Sequence, residues 1–71
     1  MMKPDWETAP VWANYLACDY NGRWYWYEAE PQIVVSCNLW ASFHVKWSFI
    51  CESETVNEKW KESLEKRPEE D

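Results

Sequence analysis

Short runs of aromatic and β-branched residues predict strands over most of the chain, and the alternation of apolar and polar positions is clearest over residues 45–51. The first predicted strand covers residues 11–19 and the second covers residues 23–29. Asn21 and Gly22 lie between them, and this dipeptide predicts a two-residue type I′ turn, in which both residues have positive φ. The pattern therefore predicts a β-hairpin in the first half of the chain.

Four consecutive aromatic residues follow the predicted turn, namely Trp24, Tyr25, Trp26 and Tyr27. Successive side chains of a strand point to opposite faces of the sheet, so the two Trp rings share one face and the two Tyr rings share the other. Pro31 ends this strand because proline cannot donate a ladder hydrogen bond. The hairpin is therefore predicted to carry aromatic rings on both of its faces.

Further strands are predicted over residues 33–37, 39–42 and 45–51. Their β-branched and aromatic residues favour extended chain, and Asn38 marks a break after the first of them. A turn is expected near His44, although no glycine is present there. In the last strand Trp47 and Phe49 share a face with Cys51, which makes it the clearest amphipathic strand of the chain.

The segment over residues 55–67 is predicted to form a helix that Pro68 ends. Thr55 and Glu58 have the spacing of a capping box, in which the two residues satisfy backbone N–H groups of the first turn reciprocally. A narrow apolar stripe follows at intervals of four residues and consists of Val56, Trp60 and Leu64. Such a stripe predicts that the helix packs one side against the sheet.

These elements predict an α+β fold with a three- to four-stranded antiparallel sheet and one C-terminal helix packed on a face. Residues 1–10 are assigned to an N-terminal lead-in, residues 11–67 to a single domain and residues 68–71 to a disordered acidic tail. In the lead-in, Asp5 is expected to cap one helical turn and Trp6 to dock it onto the sheet. Because one short helix covers one face, the lead-in, a second copy of the chain or another protein must shield the other.

The composition is rich in large rings, with seven Trp, four Tyr and two Phe among 71 residues. These rings supply the apolar surface that so short a chain needs to fold, since each buries roughly 150–250 Å². Trp is rarely fully buried, and Trp and Tyr are enriched at the centres of protein interfaces. The aromatic residues are therefore expected to build both the core and a contact surface.

The formal net charge is −6, and the segment after Cys51 carries most of it. A surface of this sign repels nucleic-acid phosphates and anionic lipid, so nucleic-acid and membrane binding are both disfavoured. No stretch approaches the roughly 20 apolar residues of a membrane span, and the first residues lack the apolar run of a signal peptide. The expected location is the cytoplasm.

Three cysteines, Cys18, Cys37 and Cys51, make an odd number, which favours buried or half-buried thiols in a reducing compartment over a disulfide framework. A zinc site of these thiols with His44 would need ligands far apart in sequence, and no metal-binding spacing is present. A nucleophilic pair of His44 with Cys37 or Cys51 likewise lacks a recognisable motif. The sequence therefore predicts no catalytic residue, no metal and no cofactor.

Several motifs occur together in the first half of the chain. They are Trp6-x-x-Ala9-Pro10, Ala13-x-Tyr15-x-Ala17-x-Asp19, Asn21-Gly22-x-Trp24-x-Trp26-Tyr27-Glu28, and Pro31 with Trp40. In these residues the chain resembles small proteins encoded by tailed bacteriophages and prophages of enteric bacteria, most of them of uncharacterised function. The resemblance implies a phage or prophage origin and action in the cytoplasm of a bacterial host. It transfers no catalytic residue.

The sequence thus predicts a non-enzymatic accessory protein that acts by protein–protein contact, either as a homodimer or with a host protein. The predicted contact surface consists of Trp12, Tyr15, Trp24, Tyr25, Trp26 and Tyr27. In one alternative these rings stack the bases of a single-stranded nucleic acid. In another, the acidic residues imitate DNA phosphates and inhibit a host DNA-binding protein.

Overall fold

The structure is a computed structural model that describes residues 3–69. Over these residues it contains six short strands and three single-turn 3₁₀ helices, and no α-helix. The strands are β1 (Tyr15–Cys18), β2 (Arg23–Tyr27), β3 (Gln32–Val34), β4 (Leu39–Ala41), β5 (Trp47–Glu52) and β6 (Glu65–Lys66). The 3₁₀ helices are Trp6–Thr8, Val35–Cys37 and Trp60–Glu62. The predicted antiparallel sheet is confirmed, whereas the predicted C-terminal helix is wrong.

Four strands form the main sheet in the order β5-β2-β1-β6, and every neighbouring pair is antiparallel. β3 and β4 form a separate two-stranded ribbon. In the central hairpin Leu16 lies opposite Trp26, and Cys18 lies opposite Trp24. β6 occupies the outer edge of β1, where Glu65 lies opposite Leu16.

The turn of the central hairpin lies where the sequence predicts it but has a different type. The Gly22 N–H donates to the Asp19 carbonyl at 3.0 Å, and the Asp19 N–H donates to the Arg23 carbonyl at 2.9 Å. Gly22 has a φ of 89°, whereas Asn21 does not have positive φ, so the prediction of a type I′ turn is wrong. Instead, Oδ1 of Asn21 accepts a 3.0 Å hydrogen bond from the Arg23 N–H. The connection is a three-residue loop, in which a type I turn precedes a glycine bulge.

The N-terminal lead-in covers the Trp face of the hairpin. Asp5 caps the turn Trp6–Thr8 by accepting a 2.9 Å hydrogen bond from a backbone N–H. The ring of Trp6 lies 4.9 Å from the ring of Trp26, centroid to centroid, and Trp24 is buried on the same face. The lead-in therefore docks through Trp6, as the sequence predicts.

The ribbon and the turn Trp60–Glu62 cover the Tyr face of the hairpin. Trp40 of the ribbon and Trp60 are buried there with Ala17 and Tyr27. The indole N–H of Trp40 donates to the Trp60 carbonyl at 3.1 Å, and the two rings meet edge to face at 6.2 Å. Both faces of the hairpin are thus shielded by segments of the same chain.

Residues 55–67 do not form the predicted helix because the outer edge of β1 pairs with this segment instead. The Ser63 hydroxyl accepts a 2.8 Å hydrogen bond from the Cys18 N–H, and β6 pairs with Tyr15 and Leu16. Residues 16–18 are buried, so their backbone groups need partners, which a helix packed on the face would not supply. Trp60 still buries its ring, but Val56, the first residue of the predicted stripe, is exposed.

The other predicted strands are shortened by local irregularities. The strand predicted over residues 33–37 is instead β3 followed by a 3₁₀ turn. Asn38 has a left-handed φ of 56° at the expected break. His44 has a φ of 64° in the turn before β5, where the chain has no glycine. A bulge in the β2–β5 pairing turns Cys51 toward the Trp face of the sheet. The prediction that Cys51 shares a face with Trp47 is therefore wrong.

Both ends of the described chain are fixed to the β1–β6 edge of the sheet. Glu65 forms an ion pair with Lys3 and accepts a hydrogen bond from the indole of Trp6. Arg67 donates to the Ala13 carbonyl at 2.7 Å. Residues 1–2 of the predicted lead-in and residues 70–71 of the predicted tail lie outside the described residues.

Candidate functional site

The structure separates the six residues of the predicted contact surface. Buried are Trp24, Trp26 and Tyr27, and half-buried are Trp12, Tyr15 and Tyr25. Trp12 packs on the Trp face of the sheet and Tyr15 packs on the opposite face. The core contains Trp24, Trp26 and Tyr27, and the other three pack against it, so the six do not form one continuous surface.

The exposed aromatic surface lies on β5 instead. Trp47 and Phe49 are 56% and 51% exposed. Tyr25 of β2 lies next to both, with its ring centroid 5.7 Å from that of Trp47 and 5.6 Å from that of Phe49, in edge-to-face contacts. Such contacts hold each ring in one orientation. Trp47, Phe49 and Tyr25 are called the β5 aromatic patch below.

The patch lies on an edge strand. β5 is the first strand in the order of the main sheet, and within residues 3–69 nothing pairs with its outer edge. A free edge offers a row of backbone donors and acceptors to another extended chain. The six residues of β5 contain no proline and carry a charge only at Glu52, at the end of the strand. Apart from the bulge in its pairing with β2, the strand therefore lacks the prolines and central charges that commonly block pairing with another chain.

A cleft of about 220 Å³ adjoins the patch. Its aromatic walls are Tyr25, Tyr27, Trp40 and Trp47, and the only charged residue in its lining is Asp19. Trp40 comes from the ribbon, whereas the other four residues belong to the main sheet or to the turn after β1. Because Trp47 and Tyr25 belong to both features, this Asp19 cleft and the patch form one continuous site.

Asp19 is a buried carboxylate with few partners. Its residue is 6% exposed, and its Oδ1 accepts a 2.8 Å hydrogen bond from the Trp40 N–H. No other described residue donates a hydrogen bond to this carboxylate. Burial raises the pKa of Asp19 above its ordinary value, while the Trp40 N–H and the charge of Arg23 oppose the shift. The cleft thus contains a partly desolvated acid surrounded by rings.

Tyr27 also lines the cleft, and the pKa of its phenol shows the same low polarity. Burial raises the pKa of the Tyr27 phenol, and the charge of Asp19 raises it further. The phenol is therefore neutral in the physiological range and offers a hydroxyl rather than a negative charge. The carboxylate of Asp19 is the centre of negative charge in the cleft.

The basic residues near the patch are engaged outside the cleft. Arg23 Nε lies 3.5 Å from Glu52 Oε2 at the exposed end of β5. Lys46 Nζ lies over the ring of Trp12, 5.4 Å from its centroid. A single-strand nucleic-acid site combines aromatic rings with a positively charged groove. This arrangement of charges does not favour the nucleic-acid alternative.

The cysteines do not form a chemical site with other residues. Cys18 is buried and Cys51 is half-buried, but Cys37 is exposed, so the expectation of a shielded thiol is wrong for Cys37. Burial raises the pKa of the Cys18 thiol, which keeps it in the unreactive protonated form. Between Lys3 and Glu69, no three Cys, His, Asp or Glu side chains are grouped so that they could hold a metal ion.

In the part of the chain that the structure covers, no helix has both the length and the apolar character needed to cross a membrane. The chain matches no protein-family model, no curated protein and no solved structure. Its site is therefore interpreted from its own residues.

Sequence reasoning missed two parts of this site for different reasons. The sequence places Trp47 and Phe49 on one face of an amphipathic strand but does not assign them to the contact surface. The aromatic character of that face was the signal that pointed to such an assignment. Nothing in the sequence connects Asp19 with Trp40 or Trp47, because only the docking of the ribbon brings these residues together.

Proposed function

We propose that this chain is a non-enzymatic accessory protein that binds a protein partner through the β5 aromatic patch. The observation that carries the proposal is the exposure of Trp47 and Phe49, each in contact with Tyr25, on an edge strand whose outer edge is free within residues 3–69. Exposed aromatic residues in contact with one another are typical of interaction sites, and Trp is enriched among residues that dominate binding energy.

The edge strand indicates how the partner binds. An extended segment of the partner can add to β5 as a further strand, so that main-chain hydrogen bonds supply affinity and the patch supplies side-chain contacts. The rings of Trp47 and Phe49 are held by Tyr25 before binding, which lowers the entropic cost of ordering them in a complex.

Charge favours a basic partner over a second copy of the chain. The net charge of −6 makes two copies repel each other, whereas it attracts a positively charged protein and speeds the encounter. The same surface fits either a host protein or a second copy of the chain, and charge complementarity favours the host protein.

The phage or prophage origin and the bacterial host cytoplasm belong to the same proposal. Their support is the resemblance of the motifs between Trp6 and Trp40 to small phage and prophage proteins. The site described above supports binding and is independent of that origin.

The test compares a patch variant with a matched surface variant. Trp47→Ser combined with Phe49→Ser removes the exposed rings of the patch, whereas Val11→Ser removes an apolar residue that is 95% exposed in the turn that follows the lead-in. Immobilised wild-type chain, patch variant and control variant are each incubated with lysate of an enteric bacterium. We expect wild type and Val11→Ser to retain the same protein and the patch variant to lose it. Protection of β5 amides from hydrogen exchange in the isolated complex then locates the contact.

Retention of the same protein by the folded patch variant contradicts the proposal. Light scattering of the purified chain decides between the two kinds of partner. A monomer at high concentration removes the homodimer, whereas a dimer that the patch variant loses identifies the partner as a second copy.

A further inference from the structure

We propose that the Asp19 cleft binds a single organic cation, namely the ammonium or guanidinium group of a lysine or arginine side chain of the protein partner. The inference rests on the proposed function, because the cleft opens beside the patch that is to bind that partner. It adds the chemistry of the residue that the partner must present.

The lining of the cleft matches a cation in two ways. The lining includes Tyr25, Tyr27, Trp40 and Trp47, and aromatic rings attract ammonium and guanidinium groups that approach their faces. Asp19 adds a full negative charge at the same place. An anion would be repelled by the carboxylate and is therefore disfavoured.

Asp19 has unused capacity for a ligand. The residue is 6% exposed, and one backbone N–H is the only hydrogen-bond donor that reaches the carboxylate from within residues 3–69; the second oxygen accepts no such bond and is not fully enclosed. An ionised carboxylate can accept several hydrogen bonds, and a buried charge requires a partner. A bound ammonium or guanidinium group supplies both the opposite charge and further donors.

Among the described residues, no cation fills this role. Arg23 is close enough to Asp19 to oppose the rise of its pKa, but its guanidinium pairs with Glu52 and is not part of the cleft lining. The phenols of Tyr25 and Tyr27 are the other titratable groups of the lining. A lysine or arginine from outside therefore meets no competing positive charge in the cleft.

The size of the cleft suits one side chain. Its volume of about 220 Å³ lies below the roughly 300–1,000 Å³ of pockets for drug-sized ligands and cofactors. The half-exposed ring of Trp47 connects the cleft to the patch, so a strand bound along β5 can direct a neighbouring side chain into it. This continuity favours a side chain of the partner over a free metabolite.

The experiment titrates the folded chain with three small probes that differ only in charge or shape. They are the Nα-acetyl methylamides of lysine, arginine and norleucine. Binding is followed by nuclear magnetic resonance through the backbone amide of Trp40 and the indole N–H of Trp47. We expect saturable shifts at both groups with lysine or arginine, and about tenfold weaker binding of the uncharged norleucine probe, as the loss of one charged contact predicts.

Two variants test the role of the carboxylate. Asp19→Asn keeps an oxygen that can accept the Trp40 N–H but removes the charge, and about a tenfold loss of lysine or arginine binding is expected. Glu7→Gln removes one charge from the exposed lead-in, on the other face of the sheet, and should leave binding unchanged. If Asp19→Asn does not fold, the wild-type titration is repeated at acidic pH, where protonation of Asp19 should weaken binding of the cation but not of norleucine.

The outcomes separate this inference from the proposed function. Equal binding of norleucine and lysine, or full binding by folded Asp19→Asn, overturns the cation site. If no probe binds but the variant Trp47→Ser with Phe49→Ser still loses the captured partner, the cation site is overturned and the proposed function stands. Tetramethylammonium is titrated as a fourth probe, and if it binds as tightly as the lysine probe, the site takes free organic cations and the assignment to a partner side chain is overturned.

Discussion

The backbone N–H of Trp40 donates a 2.8 Å hydrogen bond to Oδ1 of Asp19. This contact joins the ribbon to the residue that follows β1, and the Tyr20 N–H reinforces it by donating to the Asn38 carbonyl at 3.1 Å. The position of Asp19 therefore depends on two segments that are distant in sequence. The cleft forms when the ribbon docks on the main sheet, and its carboxylate is buried in the same step.

Burial of Asp19 predicts that Asp19→Asn stabilises the fold at neutral pH. Because the folded-state pKa lies above the ordinary value of 3.8, the folded chain binds the proton more tightly than the unfolded chain does. Stability contributed by this group is therefore full below 3.8 and declines as pH rises through the folded-state pKa. Urea unfolding should show a higher midpoint for Asp19→Asn at neutral pH and a smaller gain at acidic pH. A lower midpoint at neutral pH would show that the carboxylate is net stabilising.

We expect substitution of Gly22 to cause a large loss of stability. Its φ of 89° is strained for any residue with a side chain, and a Cβ there would lie 2.5 Å from Ser53 Oγ and 2.7 Å from the Thr55 carbonyl oxygen. We expect Gly22→Ala to cost about 2–4 kcal/mol, from the left-handed backbone and the overpacking together. Asn21→Ala, in the same turn but at an exposed position, is the control and should cost less in thermal or urea unfolding. Similar losses for the two variants would contradict this account of Gly22.

Two buried residues, Trp24 and Trp40, differ in the hydrogen bonding of their indole N–H groups. We therefore expect the same substitution to lower the free energy of unfolding by different amounts at the two positions. The indole N–H of Trp24 is buried without a hydrogen-bond partner within residues 3–69, whereas that of Trp40 donates to the Trp60 carbonyl. Both Trp→Phe changes leave a similar void, but only the change at Trp40 loses a hydrogen bond. We expect Trp40→Phe to be more destabilising than Trp24→Phe by about 1–2 kcal/mol. Equal losses in urea unfolding would contradict the assignment of an unpaired donor to Trp24.

We expect the contacts of Glu65 to make the fold less stable in acid. Its hydrogen bond with Lys3 lowers the pKa of the carboxyl below its ordinary value of 4.5, and the Trp6 indole acts in the same direction against partial burial. The stabilising contribution is therefore present above 4.5 and is lost as pH falls through the folded-state pKa. Urea midpoints measured across the acidic range should fall less steeply for Glu65→Gln than for wild type. Glu58→Gln, at an exposed position, serves as the control, and identical pH dependence in all three proteins would contradict the prediction.

Local signals explain why the central hairpin could be predicted. The turn dipeptide and the aromatic alternation act between neighbours in sequence, so they identify the pairing of β1 with β2 without any knowledge of the remaining chain. The turn type was wrong because Asn21 uses its side chain to accept the Arg23 N–H, which keeps φ negative. A local pattern predicts that a turn occurs more reliably than it predicts the turn's dihedral angles.

Competition between local and distant contacts explains why the C-terminal segment could not be predicted. Thr55 and Glu58 have the spacing of a helix start, but the Asn57 N–H donates to the Tyr20 carbonyl at 2.8 Å and fixes this segment on the hairpin turn. The unpaired edge of β1 then takes Ser63 and β6. Helix propensity is a weak preference that such tertiary contacts override. The Asp19 cleft could not be predicted for the same reason, since its walls meet only after the ribbon has docked.

The pairing of β6 with β1 also sets when a newly made chain can finish folding. Synthesis proceeds from the N-terminus, so β1, β2 and β5 leave the ribosome before Glu65 and Lys66 do. Until then the outer edge of β1 is open and the Tyr face lacks the ring of Trp60. Polypeptides released before Trp60 is made would expose that edge to other chains and to proteases. The exit of Glu65 and Lys66 from the ribosome is therefore the step that closes the outer edge of β1.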